Sequence, residues 1–226
     1  MKDSLLVYIG VDLGSSAVSK KPSSAMAILN DSGQLIEKPQ HFRKASELVK
    51  DVSKYSPESI ILAVDAPRSV PNNTEENYAY RSCEQAIKAI DTKAGSFYGA
   101  AALYIRWYEI ENKYFQNIKV IETYPRIVWK ILGFPSTPRY LSQNKEIVYS
   151  KLSNLIGSSF QPSSPHQVDA ILCAYTAYCY GKNDYSWFGN PGEGLIITPP
   201  AGIDNTTISK NSELIKEQFK CFISMA

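Results

Sequence analysis

The sequence predicts an α/β fold in which helices flank a mixed β-sheet. Continuous apolar runs at residues 5–11, 60–64 and 118–121 are typical of strands buried on both faces of a sheet. Segments with apolar residues at helical spacing lie between these runs. Strands that alternate with helices in this way are expected to pair in parallel.

The first forty residues predict an antiparallel edge for this sheet. Residues 25–29 form a second apolar run, and Asn30-Asp31-Ser32-Gly33 has the composition of a hairpin turn. Residues 34–37 are then expected to return as a third strand. The predicted edge therefore has three antiparallel strands, with residues 5–11 leading into the parallel part.

Helix signals fill the rest of the chain, and the clearest is a helix start at residue 164. Ser164 suits the N-cap, Pro165 suits the first helical position, Gln167 completes a capping box, and Gly181 suits the end of this helix. Further helices are predicted at 44–55, 75–90, 99–112, 126–132 and 145–156, with a short strand at 195–197 and weak helical character at 209–226. In the helix at 145–156, the residues expected to face inward are Ile147, Val148, Leu152, Leu155 and Ile156.

The predicted order of elements is that of an RNase H-like sheet. We expect one domain over residues 1–226, with helical insertions at about 66–117 and 125–163 and a C-terminal tail at about 200–226. In open parallel sheets, ligands bind outside the carboxyl ends of the strands. This edge is therefore where the sequence predicts a functional site.

Composition fits an ordinary globular enzyme. The chain has 226 residues, of which 44% are hydrophobic and 20% charged, and its formal net charge of +2 neither requires nor excludes a nucleic-acid partner. No apolar run reaches the roughly 18 residues of a membrane span, and no signal peptide is expected. The four cysteines form no C-x-x-C pair, which favours free thiols in a reducing cytoplasm.

Four carboxylates stand where predicted elements begin or end. Asp12, Asp65 and Glu122 each close a predicted strand, and Asp169 lies in the first turns of the helix that starts at residue 164. Carboxylate oxygens are the ligands that Mg²⁺ and Mn²⁺ prefer, and two such ions can clamp the attacking and leaving oxygens of a phosphodiester. The pattern predicts a metal-dependent phosphoryl-transfer site, with Asp12 as the bridging ligand.

Basic residues and one histidine complete the predicted site. His166 lies three residues before Asp169 and so shares its helix face, where it could ligate a metal, orient a water or donate a proton. The predicted phosphate contacts are Arg68, Arg81, Arg126, Arg139 and Lys145. Taken singly, each of these residues could instead be a cap, a satisfied histidine or a solvated charge. The coincidence of four carboxylates at one sheet edge favours the functional interpretation.

Several short motifs together resemble a known family. The segments are Gly10-Val11-Asp12-Leu13-Gly14, Val64-Asp65-Ala66-Pro67, Arg81-Ser82-Cys83-Glu84, Glu122-Thr123-Tyr124-Pro125, His166-Gln167-Val168-Asp169-Ala170 and Gly192-Glu193-Gly194. Their order and spacing are similar to those of domain-of-unknown-function family 429, which is regarded as a group of predicted nucleases with an RNase H fold. The helix motif is also similar to that of RuvC-like resolvases. The resemblance implies a metal-dependent nuclease with nucleic acid as its partner.

Two other functions remain open from the sequence. The segment Asp12-Leu13-Gly14-Ser15-Ser16 also resembles the first phosphate loop of the actin, hexokinase and sugar-kinase superfamily, although the chain has little room for the second domain of those kinases. The other alternative is a catalytically silent module that binds nucleic acid or a partner protein. For a nuclease, the sequence leaves DNA, RNA, branched and small-nucleotide substrates open.

Overall fold

The structure is a computed structural model that describes residues 6–14, 23–71, 80–91, 94–134 and 144–201. The strands in these ranges are β1 (Val7–Asp12), β2 (Ser24–Leu29), β3 (Gln40–Phe42), β4 (Ile60–Asp65), β5 (Lys119–Thr123), β6 (Ser186–Asn190) and β7 (Gly194–Thr198). The α-helices are α1 (Ala45–Val52), α2 (Ser82–Ile90), α3 (Phe97–Tyr114), α4 (Pro125–Ile131), α5 (Lys145–Ile156) and α6 (Pro165–Gly181), with a short 3₁₀ turn at Pro57–Ser59.

The described strands form one mixed sheet in the order β3-β2-β1-β4-β5-β7-β6. Strand β1 pairs in parallel with β4, β4 with β5, and β5 with β7. The pairs β1–β2, β2–β3 and β6–β7 are antiparallel. The predicted α/β class is confirmed, because the antiparallel edge, the parallel centre and the order of the first five strands are those of an RNase H-like sheet.

Two apolar cores cover the two faces of the sheet. On one face, Leu48 of α1 and Trp107 of α3 pack with Ile9 of β1. On the other face, Tyr8 packs with residues of α2, α4, α5 and α6. Strand β1 is buried along its whole length because neighbouring side chains alternate between these two cores.

Helix α6 lies directly against the backbone of β1 at Gly10. A Cβ atom at this position would stand 2.1 Å from both the carbonyl oxygen of Ala170 and the backbone nitrogen of Ala174. Only glycine allows so close an approach of helix to strand. The contact brings the first turns of α6 to the end of β1, where Asp12 lies.

The predicted return strand at residues 34–37 is wrong. Leu35 makes only an isolated bridge with Leu29, and the third strand is β3, in which Gln40 faces Met26. The pairs Leu29–Leu35 and Met26–Gln40 are three residues apart on β2 but five residues apart on the opposite segment. Two extra residues of that segment therefore bulge out of the ladder. This segment contains Pro39, which lacks the N–H that a ladder needs.

Three other expectations about the elements need correction. Helix α2 begins at Ser82, so Arg81, which was expected within the helix, is its N-cap residue. Residues 75–79 of the predicted helix lie outside the described ranges. Ile147 was expected inward but is 52% exposed. Strand β6 was not predicted at all; it forms a hairpin with β7 and places this hairpin beyond β5.

Two further expectations from the sequence concern the cysteines and the membrane-spanning segments. Cys83, Cys173 and Cys179 are buried free thiols, as predicted. In the described ranges no helix has the length and apolar character needed to cross a membrane. The predicted helical tail at 209–226 lies outside these ranges, and the division into one domain with two insertions stays a prediction.

Candidate active site

Asp12 and Asp65 lie side by side at the carboxyl end of the central parallel strands. They are direct register partners of the β1–β4 ladder, because the apolar runs that precede them pair residue for residue. Asp12 is only 5% exposed, and its Oδ2 accepts a hydrogen bond of 2.7 Å from Nδ1 of His166. The first strand and the last helix of the predicted site therefore meet through this pair.

Helix α6 supplies the third carboxylate of this edge. The Ser164 hydroxyl caps the helix by accepting from the Gln167 backbone N–H at 3.3 Å, which fixes where the helix begins. Asp169 is one turn further, and its Oδ1 accepts a hydrogen bond of 2.8 Å from the indole Nε1 of Trp129 in α4. His166 and Asp169 therefore both face the strand ends, as their spacing predicted.

Burial raises the pKa values of these three carboxylates, and repulsion between their charges adds to the shift in Asp65 and Asp169. The pKa of Asp65 is raised well above its usual value by desolvation and then by the charges of Asp12, Asp169 and Glu122. Desolvation and the charge of Asp12 likewise raise the pKa of Asp169. Burial also raises the pKa of Asp12, although its bond to His166 opposes that shift. Asp12, Asp65 and Asp169 form what we call the carboxylate trio.

The contact with Asp12 also shifts the pKa of His166. Their hydrogen bond raises the pKa of His166, because it favours the charged imidazolium over the neutral ring. A carboxylate can only accept, so Nδ1 of His166 carries a proton in this contact. Since 40% of the His166 side chain is exposed, the imidazole borders both the trio and the solvent.

Glu122 lies near the trio but is held in a different contact. It is 5% exposed and paired with the guanidinium of Arg81, which is fully buried; Nη1 of Arg81 lies 2.8 Å from Oε2, and Nη2 bonds Oε1. Arg81 also pairs with Glu84, three residues along α2. A second donor to Glu122 is the backbone N–H of Arg68, at 2.9 Å. The Glu84–Arg81–Glu122 triad therefore ties the start of α2 to strand β5.

The predicted phosphate-binding residues are spread over the molecule. A phosphate could reach the Arg81 guanidinium only by displacing a carboxylate of the triad. Arg68 pairs with Glu111 and donates to the Val120 carbonyl at 2.7 Å. Arg126 pairs with Asp91 at 2.6 Å. The remaining two positions are Lys145, which is exposed with its Nζ 5.5 Å from the centre of the Tyr149 ring, and Arg139, which lies outside the described ranges.

Sequence reasoning missed three residues at this site. Trp129, read only as part of a short helix, donates to Asp169. Cys173 lies one helical turn beyond Asp169, and burial together with the charges of the trio raises its pKa well above the usual thiol value. His41, whose ring lies 6.5 Å from that of His166, accepts or donates at the Ser164 hydroxyl 3.0 Å away. Only Cys173 had a usable signal, its four-residue spacing from Asp169.

The trio has the donor chemistry of a divalent-cation site. Within the described ranges, no three His, Cys, Asp or Glu side chains have the spacing of a formed metal site. The trio nevertheless offers hard carboxylate oxygens from three elements, and their charges repel one another. A divalent cation bound by oxygens would relieve this repulsion, so the residues present fit Mg²⁺ or Mn²⁺.

Comparisons with known proteins give only distant likenesses. No family model matches the chain, so its resemblance to domain-of-unknown-function family 429 stays a prediction. No curated protein matches it either. Among solved structures, it is similar to Thermus thermophilus RuvC in complex with a Holliday junction substrate, with 16% identity, a TM-score of 0.39, and coverage of 78% of this chain and 96% of that one. A structure of Thermus thermophilus RuvC gives 15% identity, a TM-score of 0.36, and coverage of 79% and 97%.

Proposed function

We propose that this protein is a metal-dependent nuclease that hydrolyses phosphodiester bonds of nucleic acid. The observation that carries the proposal is the carboxylate trio: three acidic side chains from β1, β4 and α6 at the carboxyl end of a parallel sheet. Burial and mutual repulsion raise the pKa values of Asp65 and Asp169. Acidic groups with strongly shifted pKa values are typical of functional sites, and a bound cation would offset their repulsion. The motif resemblance described above points to the same class of enzyme.

In this proposal the carboxylates of Asp12, Asp65 and Asp169 would hold Mg²⁺ or Mn²⁺. The bound ions would polarise the scissile phosphate and lower the pKa of the attacking water. Asp12 also orients His166, whose Nδ1 is held by the carboxylate. The raised pKa of His166 keeps this imidazole protonated closer to neutral pH, which suits a donor of a proton to the leaving oxygen.

Glu122 takes a different role in the proposal from the other acids. Both of its carboxylate oxygens are engaged by donors from Arg81 and Arg68. We therefore assign Glu122 to positioning: it fixes the loop after Asp65 through the Arg68 backbone and adds negative potential at Asp65. The trio and His166 are the residues that we place at the reacting phosphate.

The deciding experiment compares wild type with Asp12→Asn. Labelled single-stranded, duplex and branched DNA and RNA are incubated with each protein and Mn²⁺, and cleavage is read from gels. We expect Mn²⁺-dependent cleavage by wild type and its loss in Asp12→Asn, while Glu109→Gln, an exposed carboxylate of α3, keeps full activity. Equal cleavage by wild type and Asp12→Asn would place the activity elsewhere.

Thermal unfolding separates loss of chemistry from loss of fold. Without metal, Asp12→Asn should melt at or above the wild-type temperature, because the substitution removes a charge that repels Asp65 and Asp169. Mn²⁺ should raise the melting temperature of wild type and Glu109→Gln but not that of Asp12→Asn. A wild type that no divalent cation stabilises would contradict the proposal even if some cleavage were seen.

A further inference from the structure

A cavity of about 160 Å³ lies beside the carboxylate trio and takes no part in the mechanism above. Asp65 forms part of its wall, so the cavity borders the place where the scissile phosphate would bind. Its other walls come from the loop after β4, from α2 and α3, and from the segment that follows β5. Several elements of the fold therefore contribute to the wall of this cavity.

The walls of this cavity are mainly apolar, but they also include buried charged side chains. The apolar part includes Ile87, Ala100, Leu103, Tyr124 and Ile196. The polar lining includes the Glu84–Arg81–Glu122 triad, whose members are all buried, together with Asp65, Ser96 and Thr123. Such a lining fits a flat, apolar ring that has hydrogen-bonding groups along one edge.

We propose that the cavity binds one nucleobase of the substrate, next to the phosphodiester that is cut. This inference rests on the proposed nuclease function and narrows its substrate to nucleic acid in which at least one base is unpaired. A volume of about 160 Å³ is on the order of ten times the minimum that one water molecule needs, which suits one base but not a base pair. A base held between apolar side chains and read along its hydrogen-bonding edge is the arrangement used by proteins that take a base out of the helical stack.

The triad supplies hydrogen-bond acceptors for the edge of a base. The guanidinium N–H groups of Arg81 donate to Glu84, Glu122 and Ser69, so Arg81 holds the two carboxylates in place, and the oxygens of these carboxylates can accept from the N–H groups of a base. Because Arg81 and the two glutamates hold one another, these groups are fixed before a base arrives. The buried triad then has a use beyond structure, since it would present an ordered polar edge in an apolar cavity.

The test uses mononucleotides and one substitution that fills the cavity. Ala100→Trp places an indole in the cavity from α3, whereas Ala102→Trp places the same group on the exposed face of the same helix. Binding of nucleoside 5′-monophosphates and of ribose 5-phosphate is measured by thermal shift and by NMR titration, in the presence of Ca²⁺. Ribose 5-phosphate carries the sugar and phosphate without a base.

We expect wild type and Ala102→Trp to bind mononucleotides about tenfold or more tightly than ribose 5-phosphate, which is the order of the stacking energy of one base. Ala100→Trp should bind both ligands equally weakly and keep its stabilisation by Mn²⁺. Equal binding of mononucleotides and ribose 5-phosphate by wild type would overturn the base pocket, as would unchanged mononucleotide binding by Ala100→Trp.

Cleavage assays distinguish failure of this inference from failure of the proposed function. If wild type and Ala100→Trp cut single strands equally, the protein is a nuclease without this base pocket. If mononucleotides bind through the cavity but no substrate is cut, the pocket stands and the nuclease assignment fails. When both hold, Ala100→Trp should lose cleavage of single strands, and wild type should prefer single-stranded or branched substrates to perfect duplex.

Discussion

At the scale of single residues, the site depends on groups that hold the carboxylates as well as on the carboxylates themselves. Trp129 is the clearest case, because its indole N–H donates to Asp169 from a different helix. Side chains that donate hydrogen bonds to metal ligands fix the orientation of those ligands, and loss of such a side chain commonly weakens metal binding by about 10- to 100-fold. Trp129→Phe should therefore lower Mn²⁺ affinity by about that factor, as measured by calorimetric titration.

Trp107→Phe is the matched control for this substitution. Trp107 is also buried, and its indole also donates to a carboxylate, but that carboxylate is Glu111 on the other face of the sheet. Both variants should lose stability, whereas only Trp129→Phe should lose affinity for Mn²⁺. Equal affinities in the two variants would show that the indole bond to Asp169 does not serve metal binding.

At the scale of elements, the packing of α6 on β1 sets where Asp169 stands relative to Asp12. Gly10→Ala would place a methyl group 2.1 Å from backbone atoms of Ala170 and Ala174, so the helix must move away. We expect a loss of about 1–3 kcal/mol of unfolding free energy, typical of overpacking, together with weaker Mn²⁺ binding. Urea denaturation and metal titration measure the two effects.

Gly95→Ala controls for the general effect of replacing a glycine. Nothing lies within 4 Å of the Cβ that alanine would add at Gly95. The unfolding free energy of the Gly95→Ala variant should stay within about 0.5 kcal/mol of the wild-type value, as for most surface substitutions. If Gly10→Ala behaved in the same way, the close approach of α6 to β1 would not be a constraint on this fold.

The buried triad links α2 to β5 and should be sensitive to loss of one member. Arg81→Met leaves Glu84 and Glu122 as buried acids without their cation, and breaking such a pair costs about 3–5 kcal/mol. Lys54→Met removes an exposed partner of Asp51 and should change the urea midpoint far less. A similar midpoint for both variants would argue that water reaches the triad.

The elements also show which features the sequence could predict. The start of α6 was predictable to the residue because Ser164 and Pro165 act locally. The third strand was misplaced because pairing on β2 skips two residues near Pro39, and no local signal measures that length. The triad was missed because Glu122 lies 41 residues from Arg81, so only tertiary packing joins them. That Asp12 and Asp65 lie together was predictable because parallel strands end at one edge of a sheet.

At the scale of the whole molecule, the trio couples stability to pH and to metal. Asp65 and Asp169 have raised pKa values in the folded state, so the folded protein keeps protons that the unfolded chain releases above about pH 4. Without metal, stability should therefore fall as pH rises through the raised folded-state pKa values. The pH dependence of the melting temperature in EDTA, for wild type and Asp65→Asn, tests this expectation; the fall should be smaller in the variant.

Metal should reverse this pH dependence. Ligands must be deprotonated to bind a cation, so stabilisation by Mn²⁺ should grow with pH over the range in which the apo protein loses stability. The difference in melting temperature with and without Mn²⁺, measured at several pH values, gives the result directly. A difference that does not change with pH would mean that Mn²⁺ binds away from Asp65 and Asp169.

The triad also has a consequence for how relatives of this chain would vary. Arg81, Glu84 and Glu122 each depend on the other two, because removal of one leaves buried charge uncompensated, whereas replacing a buried ionic group as a whole by apolar side chains is often tolerated. In an alignment of homologues, these three positions should therefore change together. The positions of Asp12, Asp65 and Asp169 should not covary with these three. Covariation would therefore divide the acids of this sheet edge into two groups that change independently of each other.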